Sequence, residues 1–249
     1  MSVKVLIIGA HNDECEFGCG GTAKLLHDKS CEVLFLVTAD IWHNDSITES
    51  EKMEYEEQSN CAAERLGARK ITIGPHDTLL YQGGHETVLN IVSIILDFKP
   101  DIVFIHWPYD NHLEHRLVAQ DSYQAVCVAN VQGANIKEVY AFEAGPGQSQ
   151  CMFEPDFTIK IDSVFQDVTE SLKCCNQPTA NGEWLCQEKS AGSSFRGLTN
   201  GRNIKAEGFK IIKFPNSNED FLLKELLNDN FKWYGSGMYP AYGKLYFRE

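Results

Sequence analysis

The chain has 249 residues, of which 43% are hydrophobic, and a formal net charge of -13 at pH 7. A chain of this length can bury a sizeable core, and a single α/β domain is expected. The negative charge argues against a nucleic-acid or anionic-membrane surface, because both require clustered Lys and Arg. A small-molecule partner is expected instead. The composition is compatible with a homo-oligomer as well as with a monomer.

The N-terminus does not resemble a secretory signal, because the apolar run Val3 to Ala10 is too short and has no basic segment before it. No other segment approaches the roughly 18 apolar residues needed to cross a bilayer. The nine cysteines are odd in number and include no Cys-x-x-Cys pair. Neither a disulfide framework nor a structural zinc knuckle is indicated, and a reduced cytoplasm is the expected location.

Over the first 140 residues, strand-like runs alternate with helical patterns, which is typical of βαβ units around a parallel sheet. Gly67 and Pro100 are the expected helix stops. In chain order, the predicted elements are strand Val3–Gly9, helix Thr22–Lys29, strand Val33–Thr38, helix Ile47–Leu66, strand Lys70–Ile73, helix Thr87–Phe98 and strand Ile102–His106.

After Glu138 the order of elements changes. The predicted elements are strand Val139–Glu143, strand Phe157–Ile161, helix Asp162–Lys173 with Asp162 or Ser163 as its cap, and a helix from Glu219 to about Phe231. Residues 177–202 have little hydrophobic periodicity and are predicted to be loop with a short helix. The aromatic, Gly-rich end, residues 233–249, is predicted to be a packed arm of the same single domain, 1–249.

Two polar clusters each follow an apolar strand. The first is the His11 loop (residues 9–14), which carries an imidazole and two carboxylates directly after Val3–Ile8. The second is the His112 loop (residues 110–115), which follows Ile102–Ile105. Each loop alone is equally well explained as a polar cap. Two such loops at the carboxyl ends of parallel strands favour a binding site, because ligands of open α/β sheets bind there.

The residue types in these loops suit a mononuclear metal centre. Zinc and related metals take imidazole nitrogen and carboxylate oxygen, and a catalytic site keeps three protein ligands. His11, Glu14 and one histidine of the His112 loop satisfy that number. Asp13 is then free to act as general base, and the other histidine, protonated, to stabilise an oxyanion. Glu114 is expected to orient one of the imidazoles.

The glycine run Gly18–Gly21 superficially suggests a dinucleotide-binding turn. Its spacing is not Gly-x-Gly-x-x-Gly, and the acidic side chains of the His11 loop would repel a pyrophosphate. The glycines are instead expected to let the following helix pack closely on the sheet. A nucleotide-binding protein is therefore the least favoured interpretation.

The two loops resemble those of the zinc-dependent de-N-acetylases of the LmbE-like, or PIG-L, family. Ala10–Glu14 is similar to the family's Ala-His-Pro-Asp-Asp, and Asp110–His115 to its Asp-x-His-Pro-Asp-His. Asn12 stands where the family has Pro, Glu14 where it has the second Asp, and Leu113-Glu114 where it has Pro-Asp. Further similar segments over most of the chain are Glu16–Thr22, Arg65–Ala68, Val139–Glu143 and Arg196–Phe209.

The resemblance implies a Rossmann-like sandwich, with a mostly parallel sheet flanked by helices and no nucleotide. It implies that His11, Glu14 and His115 bind Zn²⁺, with Fe²⁺ as the alternative. It also implies that Asp13 is the general base and that His112 is the oxyanion partner. Asp110 and Glu114 are expected to hold these groups in position without binding the metal themselves.

The implied function is a metal-dependent hydrolase that removes an N-acetyl group from an N-acetylglucosamine-containing small-molecule conjugate. The alternatives are an amidase of the same family acting on a larger acyl-amine, and a catalytically inactive carbohydrate-binding relative. Four further residues are candidates for the substrate pocket: Asp77, Trp107, Tyr109 and Arg196.

Overall fold

The computed structural model describes residues 2–38, 48–73, 83–145, 153–176, 181–213 and 221–234. Within these ranges, eight strands form one sheet in the order β3-β2-β1-β4-β5-β7-β6-β8. The strands are β1 Lys4–Gly9, β2 Glu32–Val37, β3 Ala68–Thr72, β4 Ile102–His106, β5 Glu138–Phe142, β6 Phe157–Lys160, β7 Ala206–Lys213 and β8 Phe231–Trp233. The first five are parallel, and the last three extend the sheet by antiparallel pairing.

Helices cover both faces of this sheet. They are α1 Glu14–Asp28, α2 Glu49–Arg65, α3 His85–Phe98, α4 Leu113–Val131, α5 Phe165–Leu172, α6 Gly182–Gly197 and α7 Leu222–Leu226, with a 3-10 turn at Asp162–Val164. The α/β fold with a mostly parallel sheet is therefore confirmed. No helix in the described ranges is both long and apolar enough to cross a membrane.

The alternation of side chains along β1 explains the layered core. Val5 and Ile7 belong to the core under α1, α2 and α5, whereas Leu6 and Ile8 belong to the core under α3 and α4. Because both faces of a parallel strand are covered, β1 is apolar at every position from Val5 to Ile8 rather than at alternate ones. The continuous apolar run in the sequence follows from this burial.

The prediction for α1 is wrong at its start, since the helix begins at Glu14 rather than Thr22. Glycine lowers helix propensity, which placed Gly18–Gly21 outside the predicted helix. In the fold, a Cβ on Gly18 would lie 2.3 Å from a ring carbon of Phe142, and one on Gly21 would lie 2.5 Å from Ile161. The expected close packing is confirmed, and it takes place inside the helix.

Other predictions also need correction. Residues 182–197 form the regular helix α6, which Asn181 caps by accepting a hydrogen bond from the Trp184 N–H at 3.1 Å. Helix α4 and strand β7 were absent from the predicted elements, and the tail helix is only the short α7 followed by β8. Neither Asp162 nor Ser163 caps α5; the Asp162 carboxylate accepts from the Lys205 N–H instead. Most of the predicted arm, residues 235–249, lies outside the described residues.

Candidate metal centre

The two polar loops meet at the point where the strand order of the sheet reverses. Strand β1 lies between β2 and β4: the chain passes from β1 to β2 on one side and returns from β3 to β4 on the other. The His11 loop leaves the carboxyl end of β1, and the His112 loop follows β4 beside it. Side chains from both loops line one cavity. Such a switch point is where open α/β sheets bind ligands.

His11 and Glu14 are held together at the start of α1. The His11 Nδ1 and Glu14 Oε1 atoms are 2.7 Å apart, and the His11 N–H donates to Glu14 Oε2. His115, on the first turn of α4, brings its Nε2 within 3.1 Å of the same Glu14 Oε1. Burial acts to raise the pKa of Glu14, but the imidazoles of His11 and His115 outweigh it and hold that pKa well below its usual range.

The Asp110 carboxylate lies beside the ring nitrogen of His115 that does not face Glu14. The His115 Nδ1 lies 3.2 Å from Asp110 Oδ1, and the same Asp110 oxygen accepts the His112 N–H at 2.7 Å. A carboxylate on one ring nitrogen fixes the tautomer and leaves the other nitrogen as a ligand, as in metal-bound histidines. His106, at the end of β4, stacks on His115 and accepts the Ala10 N–H at 3.0 Å, so its ring supports the centre from the protein interior.

Two overlapping groups among the described residues could hold a cation. In one, the ligand atoms of His11, Glu14 and His115 lie within 4.8 Å of one another; in the other, those of His11, His112 and Glu114 do. Only the first has two buried members and a carboxylate behind a histidine. Its imidazole and carboxylate donors fit zinc or ferrous iron. Glu114 lies at the centre itself, 2.5 Å from His11 Nε2, closer than sequence reasoning expected.

Asp13 and His112 line the cavity beside these groups. Burial raises the pKa of the Asp13 carboxyl to about 7, and the neighbouring Glu14 adds to the effect. A carboxyl with a pKa near neutrality is suited to take up and release a proton. Burial also lowers the pKa of His112, helped by the charges of His115 and His11. The neutral ring is therefore favoured, which differs from the expected imidazolium; a neutral imidazole still has one N–H to donate.

A buried network that sequence reasoning missed holds the His11 loop. The Lys70 ammonium, from β3, lies 2.6 Å from a Glu16 oxygen and donates to the Asn12 carbonyl oxygen at 2.9 Å. The Ser59 hydroxyl of α2 donates to Asn12 Oδ1 at 2.7 Å. Asn12 stands where the family has the stiffer proline, and these two hydrogen bonds fix it from both its side chain and its backbone. The spacing of Lys70 and Ser59 in the sequence carries no signal of this contact.

Helix α6 supplies a wall of the cavity that was not predicted, because residues 177–202 were expected to be mainly loop. Trp184, Leu185 and Glu188 line the same space as the His11 and His112 loops. The cavity measures about 220 Å³. The Asn181 cap, followed three residues later by an exposed aromatic, was the available signal for a helix here.

Three of the four candidate pocket residues, Trp107, Tyr109 and Arg196, do not line this cavity. Trp107 packs against the rings of Tyr109 and Phe153 at 5.2 and 5.3 Å between ring centres. Arg196 is buried and donates to both carboxylate oxygens of Glu143, with the Nη2 to Oε2 distance at 2.6 Å. It supports the structure beside the cavity. Asp77 lies outside the described residues.

Fold and site together define a Rossmann-like α/β protein with a candidate mononuclear metal centre at the switch point of its sheet. Residues 6–126 match the PIG-L family, described as GlcNAc-PI de-N-acetylase, and the resemblance to that family is confirmed. The matched segment contains both loops of the centre.

A curated relative and two solved structures are similar to the chain. Diacetylchitobiose deacetylase of Thermococcus kodakarensis is 31% identical over 147 residues, which are 55% of this chain and 54% of the relative. The alignment thus spans about half the length of that relative. The 4-carboxy-2-hydroxymuconate hydratase GalB from Pseudomonas putida KT2440 superposes with a TM-score of 0.71 at 22% identity, covering 88% of this chain and 99% of GalB. The N,N'-diacetylchitobiose deacetylase from Pyrococcus horikoshii gives 0.70 at 20% identity, covering 84% and 83%.

The two superposed proteins share one fold but are named for different reactions, a hydration and a deacetylation. At these identities the likeness shows the fold alone, and the reaction has to be argued from the site.

Proposed function

We propose that this protein is a metal-dependent hydrolase that removes the acetyl group from an N-acetylglucosamine-containing small-molecule conjugate. The observation that carries the proposal is the convergence of His11, Glu14 and His115 on one point, with Asp13 lining the same cavity but outside that group. The family match and the deacetylase relative support amide hydrolysis as the reaction.

The three ligand residues would hold Zn²⁺ or Fe²⁺, which supplies a Lewis acid and lowers the pKa of water. Asp13 takes a proton from the attacking water, and the water oxygen forms a bond to the acetamide carbonyl carbon. The imidazole N–H of His112 donates to the oxyanion that develops on the carbonyl oxygen. Asp13 then gives its proton to the nitrogen as the C–N bond breaks, which releases acetate and a primary amine.

The charge of the cavity argues against a hydratase reaction on a carboxylated substrate, such as the one named for GalB. Its ionisable lining residues are four carboxylates and three histidines: Asp13, Glu14, Glu114, Glu188, His11, His112 and His115. A carboxylated substrate such as that named for GalB is best recognised by Arg or Lys side chains. The described lining offers no Lys or Arg for that purpose, and it is compatible with a neutral acetamide.

The test is acetate release from N,N'-diacetylchitobiose by metal-loaded protein, compared with its Asp13→Asn variant. Removal of a general base costs about 10²- to 10⁴-fold in rate. Because Asp13 is outside the ligand group, metal content measured by mass spectrometry should stay near that of the wild type. Unchanged turnover in the variant would contradict the assigned base.

Two controls separate the alternatives. Larger acyl products in place of acetate would indicate an amidase with a different acyl specificity. Saccharide binding without metal uptake or turnover would indicate an inactive carbohydrate-binding relative. The physiological metal is tested by loading the metal-free protein with zinc or ferrous iron in parallel.

A further inference from the structure

Helix α6 places an aromatic ring and a carboxylate side by side at the rim of the cavity. Trp184 is 46% exposed and Glu188 is exposed, although both line the cavity, whereas Glu14 and His115 on its floor are buried. Residues four apart lie on one face of a helix, about 5–6 Å between Cβ atoms. Both side chains are therefore available to a ligand that extends out of the cavity.

The cavity is too small for a whole conjugate. Its volume of about 220 Å³ is below the roughly 300–1,000 Å³ of sites that enclose drug-sized ligands. A cavity of this volume suits one sugar-sized unit over the metal centre, which would leave an attached unit at the rim beside Trp184 and Glu188. These two residues are therefore placed to contact the part of the substrate that the proposed reaction leaves unchanged.

The positive charges of α6 are turned away from this rim. Lys189 is buried, with its ammonium on the Phe17 carbonyl oxygen and 2.6 Å from Glu207 Oε1. Arg196 is committed to Glu143. In the described ranges, no ion-pair partner of Glu188 is found, and partial burial raises the pKa of its carboxyl.

The sequence shows how little positive charge the rest of the chain could add. Segments 39–47, 74–82, 146–152, 177–180 and 214–220 contain no Lys or Arg, and segment 235–249 contains one of each. A divalent cation would offset two of the four carboxylate charges that line the cavity. The remaining field is negative, and negative fields attract cations and repel anions.

We propose that Trp184 and Glu188 form a subsite for the unit attached to the reacting N-acetylated sugar, selecting a unit that carries an ammonium group over a neutral one and rejecting a phosphate. The proposal rests on the proposed function and names its substrate class as a partly deacetylated amino-sugar conjugate. The indole face packs on the pyranose ring and attracts the ammonium group, while the Glu188 carboxylate accepts its hydrogen bonds.

The experiment compares kcat/KM on three substrates at a pH below the pKa of the amine. They are N-acetylglucosaminyl-glucosamine, N,N'-diacetylchitobiose and N-acetylglucosamine 1-phosphate, which carry an ammonium, no charge and a phosphate. The cationic substrate should exceed the neutral one by about 2- to 5-fold, as for a solvent-exposed ion pair. The phosphate should be the poorest, and added salt should reduce the differences.

Glu188→Gln should remove the preference for the cationic substrate, mainly through KM. Glu183→Gln is the matched control, because Glu183 is exposed on the same helix but does not line the cavity; it should keep the wild-type ratios. Trp184→Ala should raise KM for all three substrates. An unchanged cationic-to-neutral ratio in Glu188→Gln, or equal turnover of the phosphate by the wild type, would overturn the subsite while leaving the proposed function standing.

A binding measurement separates the two failures. If none of the substrates releases acetate, the proposed function fails, and calorimetry with glucosamine and glucose then tests the subsite alone. Tighter binding of glucosamine that is lost in Glu188→Gln supports it. Equal affinity, or no binding of either sugar, overturns it.

Discussion

Replacing Lys70 by methionine tests whether the buried ion pair beneath the His11 loop stabilises the protein. The side chains of Lys70 and Glu16 are 1% and 0% exposed, and their charged atoms are 2.6 Å apart. Burial acts to lower the pKa of Lys70, but the Glu16 carboxylate outweighs it and the pKa is raised. Burial also raises the pKa of Glu16, against the effect of the Lys70 ammonium, so the ion pair rests on their 2.6 Å contact. The uncharged methionine side chain would leave the Glu16 charge buried without its cation.

Breaking a buried pair by removing one partner costs about 3–5 kcal/mol. A loss of 1 kcal/mol lowers Tm by about 2–4 °C in a chain of this size, so Lys70→Met should lower it by about 6–20 °C. The double variant Lys70→Met/Glu16→Gln removes both charges and should recover most of that loss. Thermal unfolding followed by circular dichroism measures both variants.

The same pair of variants also tests the link to the metal centre. Lys70 donates to the Asn12 carbonyl, and the double variant does not restore that hydrogen bond. It should therefore regain stability but keep a lowered metal affinity or kcat. A Lys70→Met protein as stable as the wild type would refute the stability argument, and full recovery of metal affinity and kcat by the double variant would refute the positioning role.

Three further predictions concern the centre and the helix that carries it. Glu14→Asp shortens the side chain by about 1.5 Å and draws the carboxylate away from His11 and His115, so competition with a chelator should show metal affinity about 10-fold lower or worse; equal affinity would contradict the assignment. In metal-free protein, burial lowers the pKa of His115 but Glu14 and Asp110 raise it to about 9. The stability this proton confers is complete below about pH 6.5, its unfolded value, and is lost as pH rises toward 9; melts in chelator should show the decline, and His115→Gln should flatten it. Gly21→Ala should destabilise by about 1–3 kcal/mol through overpacking; a higher Tm would show that helix propensity dominates.

Some of the fold could be read from the sequence because the signal is local. Strand β4 was predicted with its observed ends, since a strand buried on both faces must be apolar throughout. Helices α2 and α3 were predicted within about two residues at each end. The carboxyl ends of β1 and β4 could be expected to meet because parallel strands share one edge, and this placed the two polar loops together.

Other elements depended on contacts between distant segments. Helix α1 contains Gly18 and Gly21 because Phe142 and Ile161 leave no room for a side chain, a constraint from residues more than one hundred positions away in the chain. Arg196 was expected at the substrate pocket, but Glu143 binds it inside the protein. Helix α6 has weak periodicity because one face borders a cavity rather than a core.

The sequence by itself determined which side chains can bind a metal and how scarce positive charge is. It also determined that strands and helices alternate along the chain up to β4. These follow from residue type and short-range pattern. Only the tertiary structure decided which histidine has a carboxylate behind it, that Lys70 and Ser59 hold Asn12, and that Trp184 and Glu188 border the cavity. Those contacts join residues far apart in the chain, and their energies depend on distance and burial, which a linear sequence does not contain.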